Sequence, residues 1–206
     1  MLRAVDSILA MTEVAGTVSR GGARMHDPRV WGTTIGAVGA TVFVHANRGL
    51  LDGAWPTVAA VAWVLALAAY VWTVFVVPRR FAAPEPVGPL AGLVYLGGIV
   101  FMLVGIFLGR KLLAAQGLEG AEGAVIAFFV GAHFLPYARA FHAPLFTTIG
   151  VTLMAIGAAG VVLAAVWSVT AGAAAAVVAG LAMLAIISAD AWRTRAAVAQ
   201  RESAAA

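Results

Sequence analysis

The chain has 206 residues, of which 63% are hydrophobic and 11% charged, against roughly 45–50% and 25% in an ordinary soluble domain. So little charge excludes a soluble globular protein, and because a membrane-spanning helix takes about 20 apolar residues, six spans leave no room for a sizeable water-soluble domain. Cysteine is absent, which removes disulfides, thiol nucleophiles and thiolate ligands for metals or clusters. The net charge of +4 is spread singly or in pairs at the ends of apolar runs, so it reads as membrane topology and not as a nucleic-acid surface.

Residues 1–29 are the least apolar stretch. Asp6, Ser7, Thr12 and Glu13 interrupt it, so it lacks the layout of a secretory signal. Leu2, Val5, Ile8, Leu9, Met11 and Val18 share a broad helical face opposite Arg3, Asp6, Glu13 and Thr17, which predicts either an interfacial helix or a plain N-terminal tail. Met25 is an alternative translation start, in which case residues 1–24 are not part of the protein.

Six apolar segments follow between residues 30 and 189, and predict an all-α, polytopic integral membrane protein: Val30 to Leu51, Ala54 to Val77, Leu90 to Gly109, Ala124 to Phe141, Leu145 to Trp167, and Thr170 to Ala189. Short turns join the first to the second, the fourth to the fifth and the fifth to the sixth, so those pairs pack antiparallel. Longer loops run from Pro78 to Pro89 and from Arg110 to Gly123, and residues 190–206 read as a second tail. Pro56 and Pro89 stand at or just before helix starts, where a missing N–H costs nothing.

Charge orients the bundle. Arg3, Arg20, Arg24, Arg29, Arg79, Arg80, Arg139, Arg193, Arg195 and Arg201 fall on one side; Arg48, Arg110 and Lys111 fall on the other. Basic residues are retained in the cytoplasm, so both tails are expected inside, and the Arg- and Ala-rich usage fits a bacterial inner membrane. Trp31, Trp55, Trp167 and Trp192 lie near helix ends, as interfacial anchors do.

In lipid, helices associate where small residues let backbones approach. Gly32, Gly36 and Ala40 form such a row in the first segment, Gly105 and Gly109 in the third, and Gly172, Ala176 and Gly180 in the sixth. His45 stands before Pro56 at the same separation as His133 before Pro144, the kind of correspondence that an inverted repeat of three helices produces.

An ionisable group within a span is costly and marks a functional position. No Asp, Glu or Lys falls in mid-span, which argues against carriers coupled through a buried carboxylate and against intramembrane aspartyl proteases. The densest polar neighbourhood is Gly131, His133, Pro136 and Tyr137, followed by Arg139 and His142. Pro136 cannot donate to the Ala132 carbonyl, which predicts a kink beside His133, with Tyr137 one turn further along the same face. His133, Pro136 and Tyr137 are therefore the candidate solute path or gate. A second cluster, His45, Asn47 and Arg48, reads either as an outer anion or headgroup site or as an ordinary polar helix terminus.

The Gly131, His133, Phe134, Pro136 block resembles a G-x-H-F-x-P pattern in small multi-pass bacterial membrane proteins of unassigned activity. The resemblance implies a six-helix membrane protein and transfers no reaction, cofactor or substrate. Enzyme readings find no support: a catalytic zinc needs three ligands, and a serine nucleophile needs an adjacent base. No cofactor is expected, and the partner in every case is the lipid bilayer. Two functions stay open. One is a small permease-like or channel-like protein for a neutral or weakly polar solute. The other is a scaffold or accessory subunit whose Gly and Ala faces pack against a second copy or a partner subunit.

Overall fold

The computed structural model of the chain describes residues 17–25, 27–81, 86 and 88–205. Six long helices dominate: α1 (Pro28–Asn47), α2 (Trp55–Val71, prolonged by a π-helical turn at Trp72–Val76), α3 (Ala91–Ala115), α4 (Glu122–Ala140), α5 (Pro144–Val166) and α6 (Thr170–Ala205). Two short strands, β1 (Thr17–Arg20) and β2 (Pro78–Phe81), pair antiparallel, Thr17 opposite Phe81 and Arg20 opposite Pro78.

The molecule is an all-α polytopic membrane protein. Five of its helices, those starting at Trp55, Ala91, Glu119, Pro144 and Thr170, are long and apolar enough to cross a bilayer. Large apolar side chains point outward along them, among them Leu93, Leu96, Val100 and Phe107 on α3, which is the polarity expected when the solvent is lipid. Helix α1 falls short of the others in hydropathy because Thr33, Thr34, Thr41, His45 and Asn47 dilute it. Its 20 residues nevertheless span about 30 Å, the thickness of a hydrocarbon core. Its hydroxyls are turned back onto their own helix: Thr33 and Thr34 donate to the Val30 carbonyl and Thr41 to that of Ala37, each at 2.9 Å. Asp27 caps the start, accepting from the Arg29 N–H at 2.9 Å.

Three expectations about the ends change. Residues 1–16 lie outside the described residues, and of the helical face proposed there Val18 sits in β1, not in a helix. The chain beyond Ala189, expected as a tail, is helical and continuous with α6 to Ala205. The loop after α3 shrinks, since α3 runs on to Ala115.

Helix α6 is the central post. Met183, Leu184 and Ile187 are fully buried on it, in one core with Ala40 and Phe43 of α1 and Ile149 and Leu153 of α5. Backbone meets backbone between α4 and α5. A Cβ added at Gly131 would stand 2.6 Å from the Gly150 carbonyl oxygen and 2.7 Å from the Met154 nitrogen, and one at Gly157 would stand 2.6 Å from the Ala124 oxygen. Gly180 fits α6 to α1 in the same way, 2.6 Å from the Ala40 oxygen, while Gly172 faces the Ala121 backbone and Ala176 lies fully buried against Gly123. On α3, Gly105 receives the Phe129 ring and Gly109 the Val125 side chain; on α1, a Cβ added at Gly32 would stand 3.2 Å from Phe146 and one at Gly36 3.1 Å from Ile187. The turns that the sequence puts in correspondence are packed differently, α4 on α5 backbone to backbone and α1 on α2 only lightly.

Candidate functional site

Helices α1 and α3 flank α4 and leave a groove of about 480 Å³ between them. Gly32, Gly36 and Gly39 of α1 form one wall, Tyr95, Ile99 and Met102 of α3 the other, and Ile126, Val130, His133, Phe134 and Tyr137 of α4 the floor. Gly39 leaves the α1 wall open, since an added Cβ there would meet nothing within 4 Å. It is apolar along most of its length, with His133, Tyr95 and Tyr137 at the end where α4 runs into α5 and Asn47 at the other.

His133 sets the chemistry of that end. Its Nδ1 lies 2.7 Å from the Val130 carbonyl oxygen. A carbonyl only accepts, so Nδ1 carries the proton and the neutral ring presents Nε2 as an acceptor. Among the described residues Nε2 has no partner, nor do the hydroxyls of Tyr95 and Tyr137, and none of these three atoms is sealed from the surface. Aromatic packing holds the ring positions: Tyr137 stacks on Phe141 at 4.5 Å, meets Phe146 edge-on at 4.9 Å and Tyr95 at 5.8 Å, while His133 lies 4.3 Å from Phe134. Such edge and offset contacts each contribute about 0.5–1.5 kcal/mol beyond area burial.

Pro136 lies elsewhere. It does not line the groove; its ring faces α3 at Gly98, where an added Cβ would stand in ordinary contact, 3.7 Å from Pro136 Cγ and 3.6 Å from the His133 carbonyl oxygen. The helix continues through Pro136 from Glu122 to Ala140, and the carbonyl that His133 satisfies is that of Val130, not that of Ala132. The left-handed φ of +49° at His142 then turns the chain into α5.

The second predicted cluster is dispersed. His45 is exposed and meets the Trp63 ring edge-on at 4.5 Å, with Trp63 Nε1 donating to Thr41 Oγ1 at 3.1 Å. Asn47 is buried, donates to the Phe43 carbonyl at 2.8 Å, and packs its Oδ1 against Gly123 at the far end of the groove. Arg48 occupies the turn after α1. The three do not converge on one ligand, and among the described residues no group of three or more His, Asp or Glu comes together.

One buried residue was absent from the expectations. Arg79 on β2 is only 6% exposed, and its Nε and Nη2 have no partner among the described residues. The guanidinium lies over the Phe81 ring at 4.8 Å. Burial pulls its pKa below the ordinary value, and the charges of Asp190 and Asp27 offset part of that cost. A signal was present in Pro78-Arg79-Arg80-Phe81: in a strand, alternate residues share a face, so burying Phe81 buries Arg79 too.

No protein-family model, curated protein or solved structure matches this chain.

Proposed function

We propose that the protein is a small permease-like protein of the bacterial inner membrane, with both termini cytoplasmic, whose groove takes a neutral, weakly polar solute sideways from the bilayer. One observation carries this reading: a groove of ligand size, open between two helices and free of charged lining, gathers three unpartnered polar atoms, His133 Nε2 and the Tyr95 and Tyr137 hydroxyls, at one end, with Asn47 at the other. In this reading His133 and Tyr137 contact the solute, and Pro136 shapes the floor through its seat on Gly98.

The rival reading, a scaffold associating through Gly and Ala faces, has less to work with. The rows at Gly105 and Gly109 and at Gly172, Ala176 and Gly180 are filled from within the chain, which leaves no matching surface for a partner helix on α6.

The test is native mass spectrometry of protein purified in mild detergent, comparing wild type with Gly39→Trp. Gly39 lines the groove and an added Cβ there meets nothing within 4 Å, so the bulky indole is rooted in open space at the α1 wall. A bound small molecule carried by wild type and lost from Gly39→Trp is the expected result. Equal retention by both places the molecule outside the groove and removes the reading.

A further inference from the structure

The geometry points to a ligand class: we infer that the groove accepts a neutral single-chain alcohol or phenol, its hydroxyl on His133 Nε2 and its tail lying along α4 toward Asn47. This inference rests on the groove reading above and adds the chemistry of the occupant.

The head is defined by what faces it. With Nδ1–H committed to the Val130 carbonyl, Nε2 can only accept, so the occupant must bring a donor. The hydroxyls of Tyr95 and Tyr137 stand in the same part of the lining and are also unpartnered. A hydroxyl donates one hydrogen bond and accepts more, so it satisfies Nε2 and a tyrosine together. A carbonyl or ether lacks the donor and would leave Nε2 bare in an apolar surrounding. A carboxylate or ammonium would bring a full charge to a groove with no charged side chain in its lining.

The tail is defined by length and by the absence of polar partners. From Tyr137 back to Gly123, where Asn47 closes the far end, α4 rises about 1.5 Å per residue over fourteen residues, or about 21 Å. Ile99, Met102, Ile126 and Val130 line that stretch, and at its polar terminus Asn47 spends one N–H on the Phe43 carbonyl. An extended hydrocarbon chain fits such a trough; a compact polyol would leave it empty and strand its other hydroxyls.

The experiment is photolabelling of the full chain in lipid nanodiscs with a diazirine-bearing dodecanol and with the matching diazirine dodecane, adducts being mapped by peptide mass. The expected result is that the alcohol labels groove residues at a mole fraction about three- to tenfold lower than the hydrocarbon, the range of one neutral hydrogen bond. That preference should vanish in His133→Phe, which keeps a ring and loses the acceptor, and survive in His133→Gln, which keeps an acceptor. Equal labelling of the groove by both probes overturns the donor inference and leaves the groove reading standing. A preference that persists in His133→Phe overturns the assignment to His133. Labelling no stronger than at the lipid-facing Leu93 and Leu96 of α3 overturns the groove reading itself. The wild-type comparison needs no variant, so a misfolded substitution does not protect the inference.

Discussion

Replacing Gly131 by Ala tests whether backbone contact between α4 and α5 holds the floor of the groove in place. The new methyl would stand 2.6 Å from the Gly150 oxygen and 2.7 Å from the Met154 nitrogen, where ordinary contact begins at 3.4 Å. Both neighbours are backbone atoms, so no side chain can swing aside and α5 must retreat by about 0.8 Å. Overpacking of this kind costs about 1–3 kcal/mol, while the exchange of Gly for Ala returns up to about 1 kcal/mol in helix propensity. Gly39→Ala supplies the reference, since it carries the same propensity gain and meets nothing. The difference between the two variants therefore isolates the clash, and Gly131→Ala should be less stable than Gly39→Ala by about 1–3 kcal/mol. Thermal unfolding of both proteins in lipid nanodiscs reads this difference. Equal midpoints would show that α4 and α5 do not meet through Gly131, and the position of His133 would lose its structural basis.

Further outcomes follow from other contacts. Arg79→Met should leave thermal stability unchanged or raise it, because replacing a buried, incompletely partnered charge by an apolar side chain of similar size is often neutral or favourable; Asp190→Asn should lower it, by removing the largest charge that offsets the burial of Arg79. If both lower the midpoint equally, Arg79 is a net stabilising member of a pair. The Arg110–Glu122 ion pair, 2.8 Å long with the Arg side chain 55% exposed, should contribute no more than about 1 kcal/mol, so Glu122→Gln ought to melt close to wild type at every salt concentration, and a large loss would contradict an exposed pair. Gly98→Leu should disturb the Pro136 seat and weaken dodecanol labelling in the groove, whereas Gly97→Leu, on an open face of α3, should not. A reporter inserted after Gln116 and a second fused after Ala206 should report opposite sides of the membrane, the second cytoplasmic; the same side for both would refute the charge-based orientation.

The helices were readable from the sequence because the bilayer imposes their length: an apolar run near 20 residues has few other fates. Their ends were less readable, each for a physical reason. Helix α6 continues past Ala189 on Ala and Arg residues that favour helix without being apolar, so hydropathy stops where the helix does not. The β1–β2 ribbon is four residues on each side, too short for alternation to stand out. His133 and Tyr137 came from the sequence because polar atoms in lipid are costly, whereas nothing in the sequence says that α3 sets Tyr95 beside Tyr137. Glycine spacing led to α6, where Gly172, Ala176 and Gly180 recur every fourth residue. It missed Gly131 against Gly150 and Gly157 against Ala124, because those contacts are matched across two helices and no spacing within one helix reports them. Pro136 was placed in the helix correctly and given the wrong neighbour, since sequence does not say which face of α4 meets α3.

The ribbon ties the chain in time as well as in space. Helices α1 and α2 touch lightly and each leans on α6, yet β1, which precedes α1, is fastened to β2, which follows α2, with Gly21 pressed against the Val74 carbonyl in the π-helical turn. Strand β1 has no partner until the second helix has emerged and turned back to the same side of the membrane. Closure of the ribbon thus marks completion of the first hairpin, and Arg79 is buried against α6 only once the last helix has been inserted beside it.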